Sequence, residues 1–564
     1  MLKKELKEKV EQCYMELAQA EELPQADLPK GHLISVPKQE EHGDFASNLA
    51  LTMAGPLKMP PAKIAQALQN GLVRDPLFSK VEVAGPGFLN LFISDSFWQG
   101  HLRTIIQAGR RYGESREGEN RKVLVEFVSA NPTGPLHVGH GRGAAVGDSL
   151  ARIMAAAGFD VSTEYYINDA GNQMQTLGRS VYLRYLEHFG QDVEFPKECY
   201  QGEYIREIAV RIAKQEGDRF ISLPFDECSQ FFIEQAVQEI SQGIREDLED
   251  FNVHFDNWYS EKRLHSSGFI QDTIQELQAE GFIYEKDGAL WFRTTEFGDD
   301  KDRVVRRSNG ELTYFAADIA YHREKFQRGY EMLVDIWGAD HHGYVPRVKA
   351  AIQAMGHDPK GLQVLLVQLV NLIQGGKLKA MSTRAGEFVT LREVLDDVGT
   401  DAARFIFLTR RCDSHLDFDL DLAKSQSQEN PVYYVQYAHA RLCSVFEKAA
   451  EAGLIQDRDN ALDELLDMGE MDLSLLKEPE ELRIMKLLAS FPETVAGSAA
   501  ALEPHRISYY LHDLAGLLHK FYAKHRFVGD DNVLSTARLV MAGATRTVLA
   551  NGLAMLGVSA PEKM

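Results

Sequence analysis

An apolar run, Val123-Leu124-Val125-Glu126-Phe127-Val128, leads through Ser129-Ala130-Asn131-Pro132-Thr133-Gly134-Pro135 directly into Leu136-His137-Val138-Gly139-His140-Gly141-Arg142-Gly143. A strand that passes through a short proline- and glycine-containing turn into a helix is the unit of a parallel sheet wrapped by helices, so this stretch restricts the fold more than any other. Pro135 suits the first helical turn, whose N–H groups lack intrahelical acceptors, and Gly158 suits a helix stop. His137 and His140 share one helical face near the N-terminus, where free N–H groups and the helix dipole favour an anion such as a triphosphate. Gly139, Gly141 and Gly143 each weaken a helix by roughly 1 kcal/mol relative to alanine. Close approach of a nucleotide and tight helix–sheet packing are the two reasons to carry them, and the strand–turn–helix setting favours the nucleotide.

A chain of 564 residues is longer than one hydrophobic core supports. Short apolar runs at Val161–Ile167, Met332–Trp337 and Val364–Ile373 alternate with helical patterns. Residues 120–395 therefore read as a doubly wound, Rossmann-type α/β domain, with an amphiphilic helical insertion at about 178–255. Before it, residues 1–112 read as a small α+β domain. Leu2, Leu6, Val10, Tyr14 and Leu17 recur at helical spacing there, strand-like runs flank Gly85-Pro86-Gly87, and the polar stretch Tyr112–Asn120 looks like a linker. From 396 to 564 helical periodicity persists and strand signals fade, which predicts a helical bundle. The expected architecture is multidomain, α/β plus all-α.

The net charge of −22 argues against a protein that coats nucleic acid through a general positive field. It leaves room for a local RNA-binding face, because the acid is concentrated: residues 451–482 hold eleven Asp/Glu against two Lys/Arg. The five cysteines, Cys13, Cys199, Cys228, Cys412 and Cys443, form no CxxC pair, so no structural metal is expected. No apolar run reaches the roughly 18 residues that cross a bilayer, and the charged start lacks the apolar centre of a secretory signal. A cytoplasmic protein with no membrane partner is expected.

Four further patterns carry chemistry. Gly375-Gly376-Lys377-Leu378-Lys379-Ala380-Met381-Ser382-Thr383-Arg384-Ala385-Gly386 is a glycine-flanked basic segment, suited to bringing cations to a phosphate leaving group. If 312–322 is helical, Tyr314 and Asp318 lie four residues apart on one face. The bland alternative for Asp318 is a surface acid paired with Arg323 or Lys325. Asp340, His341 and His342 follow the run Val334–Gly338, where an α/β sheet places ligands, with no third and fourth metal ligand at suitable spacing. In the helical C-terminal part, Val432–Arg441 and His519–Arg526 interleave aromatics with bases, a composition that stacks unpaired nucleobases and neutralises phosphates but that is more often core.

At His137-Val138-Gly139-His140 the sequence resembles the class I aminoacyl-tRNA synthetases, and the longer SANPTGPLHVGH is similar to the arginyl enzymes in particular. The resemblance covers essentially the whole chain. It implies an enzyme that activates arginine with ATP, with Mg2+ accompanying the nucleotide, and esterifies it to tRNA(Arg), acting as a monomer. It implies ATP contacts at Pro135, His137, Gly139, His140, Gly338, Asp340 and Met381, and arginine contacts at Ser129, Asn131, Glu261, Tyr314, Asp318 and His342. A guanidinium is planar and permanently charged, so a pocket selective for it needs fixed carboxylates and other acceptors. Gly375–Gly386 is similar to the family's KMSKS loop, giving Lys379, Ser382, Thr383 and Arg384 catalytic parts. Ala380 stands where the first lysine would be and Thr383 replaces the second, so Arg384, Lys379 or Lys377 must supply the charge. The family's helical anticodon-binding domain implies tRNA contacts at Tyr434, Tyr437, Arg441, Tyr522, Arg526 and Met564. Glu41–Ala46 and Ala84–Asn90 resemble its additional N-terminal domain. A small-molecule nucleotidyltransferase shares HxGH chemistry but has no need of residues 400–564, and an RNA-binding paralogue without activity has no need of an intact HVGH.

Overall fold

The computed structural model describes residues 2–379, 389–458, 460–467 and 471–564. Its central sheet holds β1 (Lys122–Glu126), β2 (Asp160–Ile167), β3 (Asn257–Ser260), β4 (Met332–Gly338) and β5 (Leu362–Val367), in the order β5-β4-β1-β2-β3 with every neighbouring pair parallel. Helices cover such a sheet on both faces, which is why Val123, Leu124 and Val125 are buried in succession. The carboxyl ends of the strands, at Glu126, Ile167, Ser260 and Gly338, open on one edge, and the strand order reverses between β1 and β4. A crevice at that reversal is where open α/β sheets bind ligands.

The helix after β1, α1 (Val138–Ala156), is capped by His137 and ends before Gly158, whose φ of +90° is left-handed. Pro135 therefore lies in the turn ahead of the helix rather than in its first turn, because the His137 imidazole takes the capping position. A Cβ at Gly147 would meet the Phe127 ring at 2.2 Å, and one at Gly141 would meet Leu391 at 2.7 Å. Gly141 thus serves helix packing, not the approach of a nucleotide.

Between β2 and β3 the chain runs through α2 (Asn172–His188), α3 (Glu203–Glu216) and α4 (Phe225–Asp250). After β3 come α5 (Glu261–Ser266), a short antiparallel sheet of Ile283–Lys286, Ala289–Phe292 and Arg303–Arg306, and α6 (Tyr314–Gln327). The run 364–373, which reads as one strand, is two. Leu362–Val367 completes the central sheet, and Val370–Gln374 pairs with Lys377–Leu378 and Leu416–Asp419 in another. The break falls at Gln368 and the exposed Leu369, where the Gln368 N–H donates to the Cys412 carbonyl and its own carbonyl accepts from Arg142.

Toward the N-terminus, an antiparallel sheet in the order Ile34–Ser35, Phe45–Ser47, Phe88–Ile93, Phe78–Ala84 packs with the helix Leu2–Gln19, which buries Leu6, Val10, Tyr14 and Leu17 as its periodicity predicts. Toward the C-terminus, α7 (Leu391–Val398) is followed by α8 (Pro431–Glu451), helices at Pro479–Ala489 and Phe491–Ala501, α9 (His505–Lys524) and Asn532–Met555. Asn551 donates to the carbonyls of Gly109 and Tyr112 at 2.9 Å each, tying this last helix to the N-terminal part.

Arg404 joins α1 and the end of α4 to the C-terminal helices. Its buried guanidinium donates to the Leu556 carbonyl (2.8 Å), the Phe251 carbonyl (3.0 Å) and the Asp148 carboxylate on α1. Removing one member of a buried pair leaves an uncompensated charge and costs about 3–5 kcal/mol. Arg404→Ala is therefore expected to lower the urea midpoint strongly, with partial recovery when Asp148→Asn is added. An unchanged midpoint would show that the arginine contributes no stability.

Candidate active site

The turn after β1 is strained. Val128 (φ +66°) and Ser129 (φ +40°) both sit in the left-handed region, which a β-branched residue rarely adopts and which costs of order 1–3 kcal/mol per residue. The strain is held by hydrogen bonds. Ser129 Oγ donates to Glu126 Oε1 (2.9 Å) and accepts from the Tyr166 N–H (3.1 Å), while Tyr165 donates to the Ala130 carbonyl (2.8 Å). Ser129 and Asn131 are thereby presented at the sheet edge, Asn131 donating to Gln173 Oε1 at 2.8 Å.

The two histidines of HVGH form a reciprocal cap. His137 Nδ1 accepts from the N–H groups of Gly139 (3.1 Å) and His140 (3.3 Å), and His140 Nδ1 accepts from the His137 N–H (3.3 Å). An Nδ1 that accepts cannot carry a proton, so each neutral ring bears its hydrogen on Nε2 as a donor. The rings stack at 3.6 Å between centroids. Burial lowers both pKa values, and His140, with His137 alongside as a smaller cause, is pushed down to about 3. The pair is a set of uncharged donors at a helix N-terminus, a place where anions bind.

The segment following the basic loop is stitched to this cap. The Val138 N–H donates to the Val389 carbonyl (3.1 Å), the Leu391 N–H donates to the Leu136 carbonyl (2.7 Å), and His137 bridges Thr390. At the loop's other end Lys377 and Lys379 are exposed, and the Lys379 N–H donates to the Leu372 carbonyl at 2.8 Å. Met381, Ser382, Thr383 and Arg384 lie outside the described residues.

An acidic cluster lies at the same edge of the sheet. The segment expected to be helical is α6, with Tyr314 exposed at its start and Asp318 half-buried one turn on. Asp318 is not paired with Arg323 or Lys325: Arg323 turns to Thr273 and Glu276, and Lys325 to Glu126 and Asp335. The Asp318 carboxylate instead accepts from the Tyr344 hydroxyl. Burial pushes the Asp318 carboxyl up to about 6, with Glu261 adding to the rise and the Tyr344 bond and His322 opposing it. Glu261, at the start of α5, is buried and lies 3.1 Å from His265 Nε2. Tyr166, at the end of β2, is raised by burial and then by the charges of Glu261 and Asp318, which places its hydroxyl among these acids.

Beneath the pocket, Lys325 is fully buried, donating to Glu126 Oε2 (2.5 Å) and Asp335 Oδ1 (2.9 Å). Burial alone would depress its ammonium, but the two carboxylates outweigh burial and hold it above its ordinary value. His322 spans from Asp335 Oδ2 (3.0 Å) to the Asp318 carbonyl (2.8 Å). Glu126, Tyr166, Lys325 and Tyr344 were not among the sequence-based candidates. The acid Glu126 inside an otherwise apolar strand is the one signal that points to them. Past β4, Gly338, Asp340, His341 and His342 are exposed on the turn Ala339–Tyr344, which also delivers Tyr344 to Asp318. Among the described residues, the grouping of His, Cys, Asp and Glu atoms close enough for a metal is Glu478, Glu480 and His525, and Glu480 already accepts from Lys524 at 2.5 Å.

In the C-terminal helices, α8 and α9 bring the predicted RNA-facing residues together. The Arg441 guanidinium lies 4.6 Å from the Tyr437 ring and 4.5 Å from that of Tyr522, and Tyr434 packs on His519 at 4.6 Å. Arg526, past the end of α9, and Met564, at the last position, are exposed.

Comparison with known proteins matches three stretches of the chain. Residues 1–93 match the family described as the arginyl tRNA synthetase N terminal domain, 101–413 that of tRNA synthetases class I (R), catalytic domain, and 435–564 the DALR anticodon binding domain. An arginine–tRNA ligase of Syntrophotalea carbinolica is 52% identical over 99% of this chain and 100% of its own length. One of Citrifermentans bemidjiense is 52% identical over 94% of each. The arginyl-tRNA synthetase of Thermus thermophilus shares the fold, with a TM-score of 0.74 at 23% identity over the full length of both chains. By sequence along its whole length, this chain belongs to the arginyl-tRNA synthetases of class I.

Proposed function

We propose that the strand-edge site carries out the family reaction through the residues described above. The protein is an arginine–tRNA ligase that uses arginine, ATP and tRNA(Arg). A carboxylate oxygen of arginine attacks the α-phosphorus of ATP, a phosphoanhydride bond breaks, and pyrophosphate leaves with its electron pair. A hydroxyl of the 3′-terminal adenosine of tRNA then attacks the carbonyl of arginyl-adenylate, giving the ester and AMP. His137 and His140 donate from Nε2 to the phosphates, with Pro135, Gly139, Gly338, Asp340 and Met381 around the nucleotide. Ser129 and Asn131 hold the amino-acid backbone, while Glu261, Tyr314, Asp318 and His342 receive the guanidinium. Lys379, Ser382, Thr383 and Arg384 attend the leaving pyrophosphate, and Mg2+ travels with ATP. Tyr434, Tyr437, Arg441, Tyr522, Arg526 and Met564 meet the tRNA. In this reading the working units are 1–112, 120–395 and 396–564, and the enzyme is a cytoplasmic monomer. No helix among the described residues is long and apolar enough to cross a membrane.

The observation that supports this reading best is the juxtaposition of the neutral His137–His140 cap with a carboxylate pocket at one sheet edge. Arginine-dependent exchange of pyrophosphate into ATP, measured with each amino acid and with or without tRNA, tests it. Exchange is expected with arginine alone among the amino acids and only when tRNA is bound; exchange driven equally by lysine or by an apolar amino acid would sink the reading.

A pH dependence follows from Asp318. A carboxyl pushed up to about 6 by burial is charged above that pH and neutral below it, and only the charged form pairs with a guanidinium. Arginine affinity is expected to be constant from pH 7 to 8 and to fall by up to about tenfold per unit below 6. Calorimetric titration at pH 5, 6 and 7 checks this, and equal affinities at all three would contradict it.

A further inference from the structure

The helices between β2 and β3 reach the phosphate-facing corner at two points. From α3, the Tyr204 hydroxyl donates to the Thr133 carbonyl in the turn before HVGH, at 2.6 Å. From the last turn of α4, two carboxylates hold Arg392, the second residue of α7. Arg392 Nε and Nη2 lie 2.9 and 2.8 Å from Asp247 Oδ1, and Nη1 lies 2.7 Å from Asp250 Oδ2. Asp247 is buried while Asp250 is largely exposed, so the first pair carries the weight of the contact.

The location of Arg392 gives this clamp a consequence. Residues 389–391 close two backbone hydrogen bonds onto Leu136–Val138 and bridge His137. Thr390 then caps α7, its Oγ accepting from the Glu393 N–H at 3.1 Å. The clamp therefore acts one residue beyond the strip that joins the exit of the basic loop to the histidine cap. A cavity of about 570 Å3 separates α3 and α4 from the turn and α7, and Pro135, Tyr204, Ile244, Asp247 and Arg392 line it. Beside this groove the ion pair ties α4 to α7 directly, while Thr400 Oγ1, donating to the Asp250 carbonyl at 2.8 Å, ties the end of α4 to the helix that follows.

We propose that Asp247 is a positioning residue for arginine activation: through Arg392 it holds the 389–391 strip in register against Leu136–Val138, and so aligns the exit of the basic loop with the His137–His140 cap. It touches neither substrate. This inference rests on the activation reaction proposed above and adds to it a role for the α2–α4 segment. Displacing reacting groups by about an ångström can cost on the order of 100-fold in rate, so disrupting the clamp is expected to lower kcat for pyrophosphate exchange by about 10- to 100-fold. Arginine affinity should stay within about twofold, because the pocket around Asp318 lies on α6 and the β4 turn.

The test measures kcat, KM for ATP, arginine affinity and urea midpoint for Asp247→Ala, Arg392→Ala, the double variant and the charge swap Asp247→Arg with Arg392→Asp. Each single change should lower kcat, the double should be no worse than the worse single, and the swap should recover part of the loss. Asp247→Glu should also recover part. A fall in urea midpoint with kcat unchanged for the folded enzyme would make the pair a fold-stabilising contact only and overturn the proposal. So would losses that multiply in the double variant. The parent protein is the control: absence of arginine-dependent exchange there would refute the proposed reaction itself, whereas an active parent with an unaffected Asp247→Ala refutes this inference alone.

Discussion

Replacing His137 or His140 by alanine is expected to lower the rate of arginyl-adenylate formation by roughly 100- to 1,000-fold each, the loss seen when one preorganised donor is removed from a site of developing charge. The Nε2 donors act on negative charge that grows on the phosphates as pyrophosphate leaves, so the loss should fall on kcat for pyrophosphate exchange and spare arginine affinity. The rings also cap α1, and losing a cap costs about 0.5–2 kcal/mol of stability, which confounds the alanine variants. His137→Asn retains a capping acceptor without the Nε2 donor. It should match the alanine variant in rate while keeping the urea midpoint nearer the parent's. Exchange at the parent rate in both the asparagine and alanine variants would remove these histidines from the reaction.

The depressed pKa of His140 sharpens this expectation. A charged imidazolium would attract phosphate more strongly, but burial, and then the neighbouring His137, keep His140 neutral, and its Nδ1 already accepts from the His137 N–H. Between pH 6 and 9 His140 should contribute no titration to the rate, and Asp318 is placed to supply an acid limb near 6.

How far the sequence discloses this site depends on the range of the interactions concerned. The strand, turn and capped helix around HVGH are local, set by residues adjacent in the chain, and their periodicity and glycines reveal them. The Tyr314–Asp318 spacing is equally local, since four residues make one helical turn. Tyr344 meets Asp318 from across a strand and a turn, and Lys325 meets Glu126 from 199 positions away, so no window of sequence contains either pair. The same limit explains the strand at 364–373. Its apolar run is continuous, and only the partners Cys412 and Arg142 dictate that it breaks at Gln368. The antiparallel sheet at 283–306 escapes for a different reason: its strands are four residues long, too short for alternation to stand out. Gly141 shows that a motif can be found for the wrong reason, because its missing side chain makes room for Leu391, not for a ligand.

Asp318→Asn is expected to weaken arginine binding by about 30-fold to several thousandfold while leaving ATP affinity nearly unchanged. A guanidinium cannot give up its proton at working pH, so inside a partly dehydrated pocket it needs a counter-charge held in place. Asp318 is so held, by the Tyr344 hydroxyl and by its position one turn into α6, and the burial that raises its pKa makes a negative charge there costly. Arginine relieves that cost on binding, and the asparagine variant, identical in shape, has none to relieve. Leaving a buried charge without its partner typically costs about 2–5 kcal/mol, which sets the size of the loss. The variant should also lose the fall in affinity below pH 6, which separates the carboxylate's role from any general loosening of the pocket. Calorimetry of arginine and of ATP, each with tRNA present, measures both. If the variant binds arginine as well as the parent does, the counter-charge must come from Glu261, and Glu261→Gln should then carry the loss.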